Sequence, residues 1–283
     1  MSSAPHRITP LRTGAFRLDG GGMFGLIPKS MWSQWTTPDA DNRIALATRS
    51  LLVETARDGL VLVEAGCGDK WTDKERAMYA LERRTAVDAL REVGVSPADI
   101  AHVVVTHLHF DHAGGLTLAA DGGPVPTFPR ARIHVQRTEW HDALANKSTM
   151  TRTYLRTHLD PIASQIELHD GECSPLAGFT LLPTAGHTWG HQSVLVDGAT
   201  TAAGAAHHLF AGDVCPTIHH AHPAASLGYD MMAYEAMLAK RRVLGRAADE
   251  GWIVALDHDP LHAFARAVTR DGRVELIPLG EQS

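Results

Sequence analysis

The chain has 283 residues, 44% of them hydrophobic and 20% charged, enough apolar material to bury a large core without disulfide staples and too much for a disordered chain. A net charge of -6 with histidines neutral gives no electrostatic footprint for a polyanion, so nucleic acid is excluded as the expected partner. One domain spanning 1–283 is expected.

Met1 to Thr13 carries basic residues and prolines without the apolar run of an export signal, and no stretch approaches 18 consecutive apolar residues, so no membrane span is expected. Gly14 to Leu18 reads as a strand and runs into Asp19-Gly20-Gly21-Gly22, where consecutive glycines predict a turn or loop. The apolar segment that follows, around Met31, Trp32 and Trp35, makes 1–42 a strand plus glycine-rich apolar loop. That loop is expected either to cover a site in its own chain or to bind a second copy in a homodimer. Arg43 to Glu54 and Leu60 to Glu64 flank Arg57-Asp58-Gly59, the pattern of a strand hairpin.

Thr85 to Val93 places Val87, Leu90 and Val93 at helical spacing before Gly94, and Ile100 to Thr106 has the β-branched continuity of a strand buried on both faces. Further strands are predicted at Ile133 to Val135, Thr180 to Pro183, Gln192 to Val196, His208 to Ala211 and Trp252 to Leu256. Helices are predicted at Thr138 to Ala145 and Tyr229 to Ala247, and a turn and strand within Leu261 to Ile277. Strands and helices alternate without a long polar linker. The three cysteines, Cys67, Cys173 and Cys215, are odd in number and irregular in spacing, which suits neither a disulfide framework nor a thiolate zinc site and leads us to expect a cytoplasmic protein.

Eighteen histidines are the anomaly of the composition, because imidazole is the commonest metal ligand. They concentrate just past the buried strand, in Thr106-His107-Leu108-His109-Phe110-Asp111-His112-Ala113-Gly114-Gly115. A loop cap needs one polar residue, and this segment offers three imidazoles and a carboxylate. Residues two apart on a strand point the same way, so His107 and His109 converge if strand geometry continues through Leu108, while Asp111 and His112 can serve a second ion. Imidazole and carboxylate donors without thiolates suit zinc, manganese, iron or cobalt.

His-x-His-x-Asp-His after an apolar strand resembles the signature of the metallo-β-lactamase superfamily. That resemblance implies an α/β fold, a four-layer αβ/βα sandwich of two mixed sheets packed face to face with helices outside. It also implies three later ligands, and matching segments occur in order. Thr184-Ala185-Gly186-His187-Thr188-Trp189-Gly190-His191 supplies His187, Leu209-Phe210-Ala211-Gly212-Asp213 supplies Asp213, and Leu256-Asp257-His258-Asp259-Pro260 supplies His258. The implied cofactor is two divalent ions, zinc first: His107, His109 and His187 on one, Asp111, His112 and His258 on the other, Asp213 shared. His191 is implied to orient ligands from behind. Glu64 stands where many relatives have Asp near the metals, the same charge on a longer arm.

Two adjacent ions lower the pKa of water from about 15.7 toward about 7, so the resemblance implies a hydrolase that uses a metal-bridging hydroxide, with Asp111 as the catalytic proton carrier. The branch resembled most closely is that of the N-acyl homoserine lactonases and methyl-parathion-type hydrolases. Expected substrates are small lactones, carboxylic esters or phosphoesters. Those lactonases carry a tyrosine three residues past the bridging Asp, where this chain has Pro216. Substrate contacts are expected from Met23 and Phe24, from Pro216, His219, His220 and His222, and from Tyr229. The alternatives are a mononuclear iron dioxygenase of the same fold and a metal-binding protein without turnover. Only a short tail follows His258, which disfavours a glutathione thioesterase with its helical C-terminal region.

Overall fold

A computed structural model describes residues 6–150, 152–201 and 204–280, so the first five residues of the 1–42 segment lie outside the described residues. β1 (Arg7–Asp19) pairs antiparallel with β2 (Arg43–Glu54) along nearly its whole length, and β2 turns back into β3 (Leu60–Val63). β4 (Ile100–Val104), β5 (Arg132–Gln136) and β6 (Ile166–His169) then add in parallel. The second half contains β7 (Phe179–Pro183), β8 (Gln192–Thr201), β9 (Gly204–Phe210), β10 (Ile253–Ala255), β11 (Phe264–Arg270) and β12 (Arg273–Pro278). Its order is β12-β11-β10-β9-β8, with β7 on the other side of β8.

The two mixed halves are joined by a single parallel register pair, Arg7 with Thr200, which makes them one continuous hydrogen-bonded sheet of 12 strands folded on itself. The inner core explains the folding. Ile8, Val53, Val61, Val63 and Val104 from the first half pack against Phe179, Val194, Val196, Phe210 and Ile253 from the second. Each fully buried Val, Ile or Phe side chain contributes roughly 1.5–3 kcal/mol, and strands with apolar residues on both faces can be satisfied only between layers.

Helices cover the outer faces. In chain order they include α1 (Gly20–Phe24), α2 (Ala86–Glu92), α3 (Phe110–Ala113), α4 (Arg137–Leu144) and α5 (Ala233–Asp249). Ala86, Leu90, Trp140 and Ala143 close the first half's outer face, and Ala239, Val243, Leu244 and Ala247 close the second's. This is the four-layer arrangement. α2 begins as predicted, with Thr85 accepting from the Asp88 N–H and Asp88 reaching back to the Thr85 N–H, and Gly94 follows it at φ +75°. Among the described residues no helix is long and apolar enough to cross a membrane.

Three local expectations change. The first strand starts at Arg7, seven residues before the predicted Gly14, because both sides of it are covered by β2 and the inner core. The triple glycine forms α1, capped by Asp19, whose carboxylate accepts the Gly22 N–H at 2.8 Å. A Cβ on Gly20 would meet the Trp32 ring at 2.4 Å and one on Gly22 the Tyr229 hydroxyl at 2.2 Å, so these glycines permit close approach of rings. The helix predicted from Tyr229 begins at Ala233, since the preceding loop spends its N–H groups on another segment: Met231 donates to the His187 carbonyl at 3.1 Å and Met232 to that of Gly186 at 2.8 Å.

Candidate metal centre

β4 ends at Val104, so the strand geometry expected through Leu108 is not kept. Two buried carboxylates shape the loop that follows. Glu64 accepts the Thr106 N–H at 2.6 Å and Glu139 accepts the Leu108 N–H at 2.9 Å, leaving His107 and His109 free to turn toward each other, ring centroids 4.4 Å apart. Asp111 and His112 sit on α3, immediately after. His187 follows β7, Asp213 follows β9 in a short 3-10 turn, and His258 follows β10. All seven residues therefore lie beyond strand ends, at one rim of the sandwich, and all are buried.

Two groups of donors result. His107, His109 and His187 bring ring nitrogens together in one, and His112, Asp213, Asp257 and His258 bring nitrogen and oxygen atoms together in the other, each within 4.8 Å. His187 Nε2 is 3.0 Å from His109 Nδ1 and 3.1 Å from Asp213 Oδ2, while His258 Nε2 is 3.2 Å from Asp213 Oδ1 and 3.2 Å from His112 Nε2. Tetrahedral ligands at zinc distances lie about 3.3 Å apart, so this spacing fits a shared cation. Asp213 turns one oxygen to each group. Asp111 Oδ2 lies 3.5 Å from His258 Nε2, on the second group's side. His107 Nε2 and Asp213 Oδ1 are buried with no hydrogen-bond partner, the state of a donor atom kept for a cation.

The far nitrogens are held from behind. His258 Nδ1 donates to the Ala47 carbonyl at 2.8 Å, His187 Nδ1 meets Asp230 at 2.9 Å and His107 Nδ1 meets the Thr106 hydroxyl at 3.0 Å. His112 Nδ1 faces two carboxylates, Glu64 at 3.3 Å and Asp257 at 3.6 Å. His191 keeps out of the donor groups: its Nε2 accepts the Asp213 backbone N–H at 3.1 Å, and its Nδ1 contacts the Thr184 hydroxyl at 2.8 Å. Asp230, Glu139 and Asp257 have no place in the sequence reading. Only Asp257 carried a local signal, a carboxylate beside a motif histidine.

Burial, reinforced by neighbouring imidazoles, pushes His107 and His109 well below the usual histidine range, the neutral form a metal needs. His258 goes the other way: burial opposes its charge, but Asp257 and Asp213 carry it up to about 9. Burial likewise opposes the Asp213 anion, and His187, His112 and His258 outweigh it, holding that carboxyl well below its ordinary range. Carboxylate density here attracts positive charge, which protons supply when nothing else does.

A cavity of about 270 Å³ opens onto His109, Asp111, His187, Asp213 and His258. Its walls are mostly methionine and aromatic: Met23, Met78, Tyr79, Phe110, Met150, Tyr229 and Met231. Of the expected substrate contacts, Met23 and Tyr229 line it. Phe24, Pro216, His219, His220 and His222 do not. Pro216 borders a separate hollow behind Asp213. Phe24 is buried between Trp32 and His220, with ring centroids at 5.7 and 4.9 Å. His220 Nε2 donates to the Met23 carbonyl at 2.8 Å, and His219 stacks on Trp35 at 5.6 Å. His222 is exposed and tilts over Trp35 at 6.0 Å. These rings fasten the glycine-rich segment to its own chain, with Trp32 buried there and Met23 reaching the cavity.

Residues 43–258 match the family model described as the metallo-beta-lactamase superfamily. The chain is 32% identical over 176 residues to a probable metallo-hydrolase of Mycobacterium tuberculosis, with 54% of each chain covered. It is 31% identical over 157 residues to an N-acyl homoserine lactonase of Bacillus thuringiensis, covering 52% of this chain and 56% of the relative. The match thus spans about half the length of these curated relatives. Among solved structures, a probable metal-dependent hydrolase from Staphylococcus aureus superposes with a TM-score of 0.86 at 27% identity over 100% of both chains. AidC, a dizinc quorum-quenching lactonase, superposes with a TM-score of 0.80 over 100% of this chain and 97% of its own, and at 18% identity it speaks for the fold alone. With that family model spanning more than half of its length, the chain belongs to the metallo-beta-lactamase superfamily.

Proposed function

We propose that the protein is a dinuclear metal-dependent hydrolase of a small lactone or carboxylic ester with an apolar substituent, with small phosphoesters as the neighbouring class. The observation that carries this reading is the position of Asp213, whose two oxygens face two separate donor groups at 3.1 and 3.2 Å. His107, His109 and His187 would hold one ion, Asp111, His112 and His258 the other, and Asp213 both. Zinc is the first expectation, since neutral imidazoles and carboxylates with no thiolate suit it, and manganese, iron and cobalt accept the same donors. When bound, such a pair supplies a Lewis acid and a water whose pKa is lowered toward neutrality.

The chain's own residues do the rest. Asp111 lines the cavity with its carboxylate near His258, placed to take the proton of the attacking water. As the water oxygen bonds to the acyl carbon and the bond to the leaving oxygen breaks, Asp111 returns that proton to the leaving oxygen. Tyr229 is neutral at physiological pH, its phenol pushed up to about 12 by burial and then by Asp19 and Asp111. It would donate a hydrogen bond to the substrate where Pro216 replaces the lactonase tyrosine. The methionine and aromatic wall would take the apolar substituent, because burying such area is favourable by roughly 25 cal/mol per Å² and methionine adapts to irregular shapes.

The test is metal analysis of the purified protein, with the same sample assayed on lactones, aryl esters and phosphotriesters. Two equivalents of divalent metal per chain and chelator-sensitive lactone or ester turnover are expected. One equivalent of iron with oxygen uptake and no hydrolysis would replace the proposal with an oxidative one, and a metal-free protein would end it.

A further inference from the structure

The two donor groups are flanked unequally. Behind the group of His107, His109 and His187 stand Asp230 and Glu139, and both are already engaged: Asp230 touches His187 at 2.9 Å and accepts the Leu227 N–H at 3.0 Å, while Glu139 accepts the Leu108 N–H at 2.9 Å, the Tyr154 hydroxyl at 3.1 Å and the Thr188 hydroxyl. Against the other group lie two that the proposed ligand set leaves out, although Asp257 falls within its donor cluster. Glu64 Oε2 is 3.3 Å from His112 Nδ1, and Asp257 Oδ2 is 3.6 Å from the same nitrogen and 3.7 Å from His258 Nε2. Glu64 is 1% exposed and Asp257 2%, yet Glu64 Oε2 and both oxygens of Asp257 have no hydrogen-bond partner. A buried carboxylate without donors is costly unless positive charge sits nearby.

Glu64 is also held at φ +67°, a left-handed backbone conformation that a residue with a side chain rarely adopts. Its other oxygen takes the Thr106 N–H at 2.6 Å, which fixes the carboxylate against the motif loop and aims Oε2 at His112. Strain kept in place to present a charge is a mark of function.

On the dinuclear reading above, we infer that the half-site of His112 and His258 takes its divalent ion first and holds it more tightly than the half-site of His107, His109 and His187, because Glu64 and Asp257 charge it from behind. The three-imidazole half is then the looser one, loaded second. Outer carboxylates of this kind raise the basicity of the imidazole they face and fix its orientation, and removing one typically costs roughly tenfold to a hundredfold in metal affinity.

Cobalt(II) added stepwise to the chelator-treated full chain, followed by visible absorption and by calorimetry, tests the assignment. The wild type is expected to bind two equivalents in two resolved steps. Asp257→Asn, nearly the same shape, is expected to weaken the tighter step by roughly tenfold to a hundredfold and leave the looser one unchanged, Glu64→Gln to do likewise, and Asp230→Asn to weaken only the looser step. If Glu64→Gln fails to fold by circular dichroism, Asp257→Asn decides. Two equivalents bound with Asp257→Asn moving the looser step, or neither, would overturn this inference and leave the dinuclear reading standing. Fewer than two equivalents in the wild type would overturn both.

Discussion

The floor and the wall of the cavity are built on opposite principles. The floor is polar, buried and crowded with groups that fix one another: His191 holds the backbone of Asp213 at 3.1 Å, and Asp230 holds His187 at 2.9 Å. The wall is mostly methionine and aromatic, drawn from α1, α3, the segments around Met78 and Met150, and the loop before α5, with Arg17, Leu18 and Asp19 of β1 beside it. Hydrogen-bonded imidazoles and carboxylates have one arrangement, whereas methionine side chains have many. On the proposed function, the floor would carry the reaction and the wall the choice of substrate, so changes to the floor should strike turnover and changes to the wall should strike binding.

The strongest way to break that division is Asp213→Ala, which removes the group facing both donor clusters. Loss of metal and a fall in turnover of roughly a thousandfold or more are expected, measured by metal analysis and ester hydrolysis. Asp111→Asn should retain most of the metal and lower kcat by roughly a hundredfold to ten-thousandfold. An Asp111→Asn enzyme with full metal and full kcat would remove Asp111 from proton transfer. Tyr229→Phe stands at the junction of floor and wall, and the loss of one hydrogen bond should cost roughly threefold to tenfold in kcat/KM. Met78→Ala, at a side chain of the cavity that is 51% exposed, should raise KM for substrates with long apolar substituents by a few fold and leave kcat unchanged.

Much of the floor was legible because its signal is local. His107, His109, Asp111 and His112 fall within one short segment, and the later candidate ligands each sit just past a strand in a short motif. The supports were not legible, because they act only after folding. Glu139 reaches the motif loop from α4, Asp230 reaches His187 from a loop, and nothing near either residue marks it for that task. Glu64 was singled out by its place in a motif, and its backbone strain is a tertiary fact. Outside the wall, the histidines of residues 216–222 drew attention by number, and none of them lines the cavity. They serve packing, since an imidazole ring stacks on Trp35 or Phe24 as readily as it binds metal. The methionines that do line the cavity come from scattered positions and have no periodicity in common.

The packing role of His220 gives the smallest and most specific prediction. Burial carries its pKa down to about 3 from an ordinary value of 6.5, so the folded chain keeps this ring neutral where the unfolded chain protonates it. The unfolded state therefore binds the extra proton between those values, and stability falls as pH drops below about 6.5. Denaturant unfolding at pH 7 and pH 5 should show that loss, and His220→Gln should make the dependence shallower. An unchanged slope would mean that the ring titrates normally and the strap to Met23 is loose.

The single register pair between Arg7 and Thr200 has one more consequence. The first half of the chain ends its contribution to the centre at His112, and the second half brings His187, Asp213 and His258. Neither half holds the full set proposed here for even one ion. On the proposed assignment, then, neither ion has its full set of ligands until the two halves have docked. A loaded centre would thereby certify that the two halves have found each other.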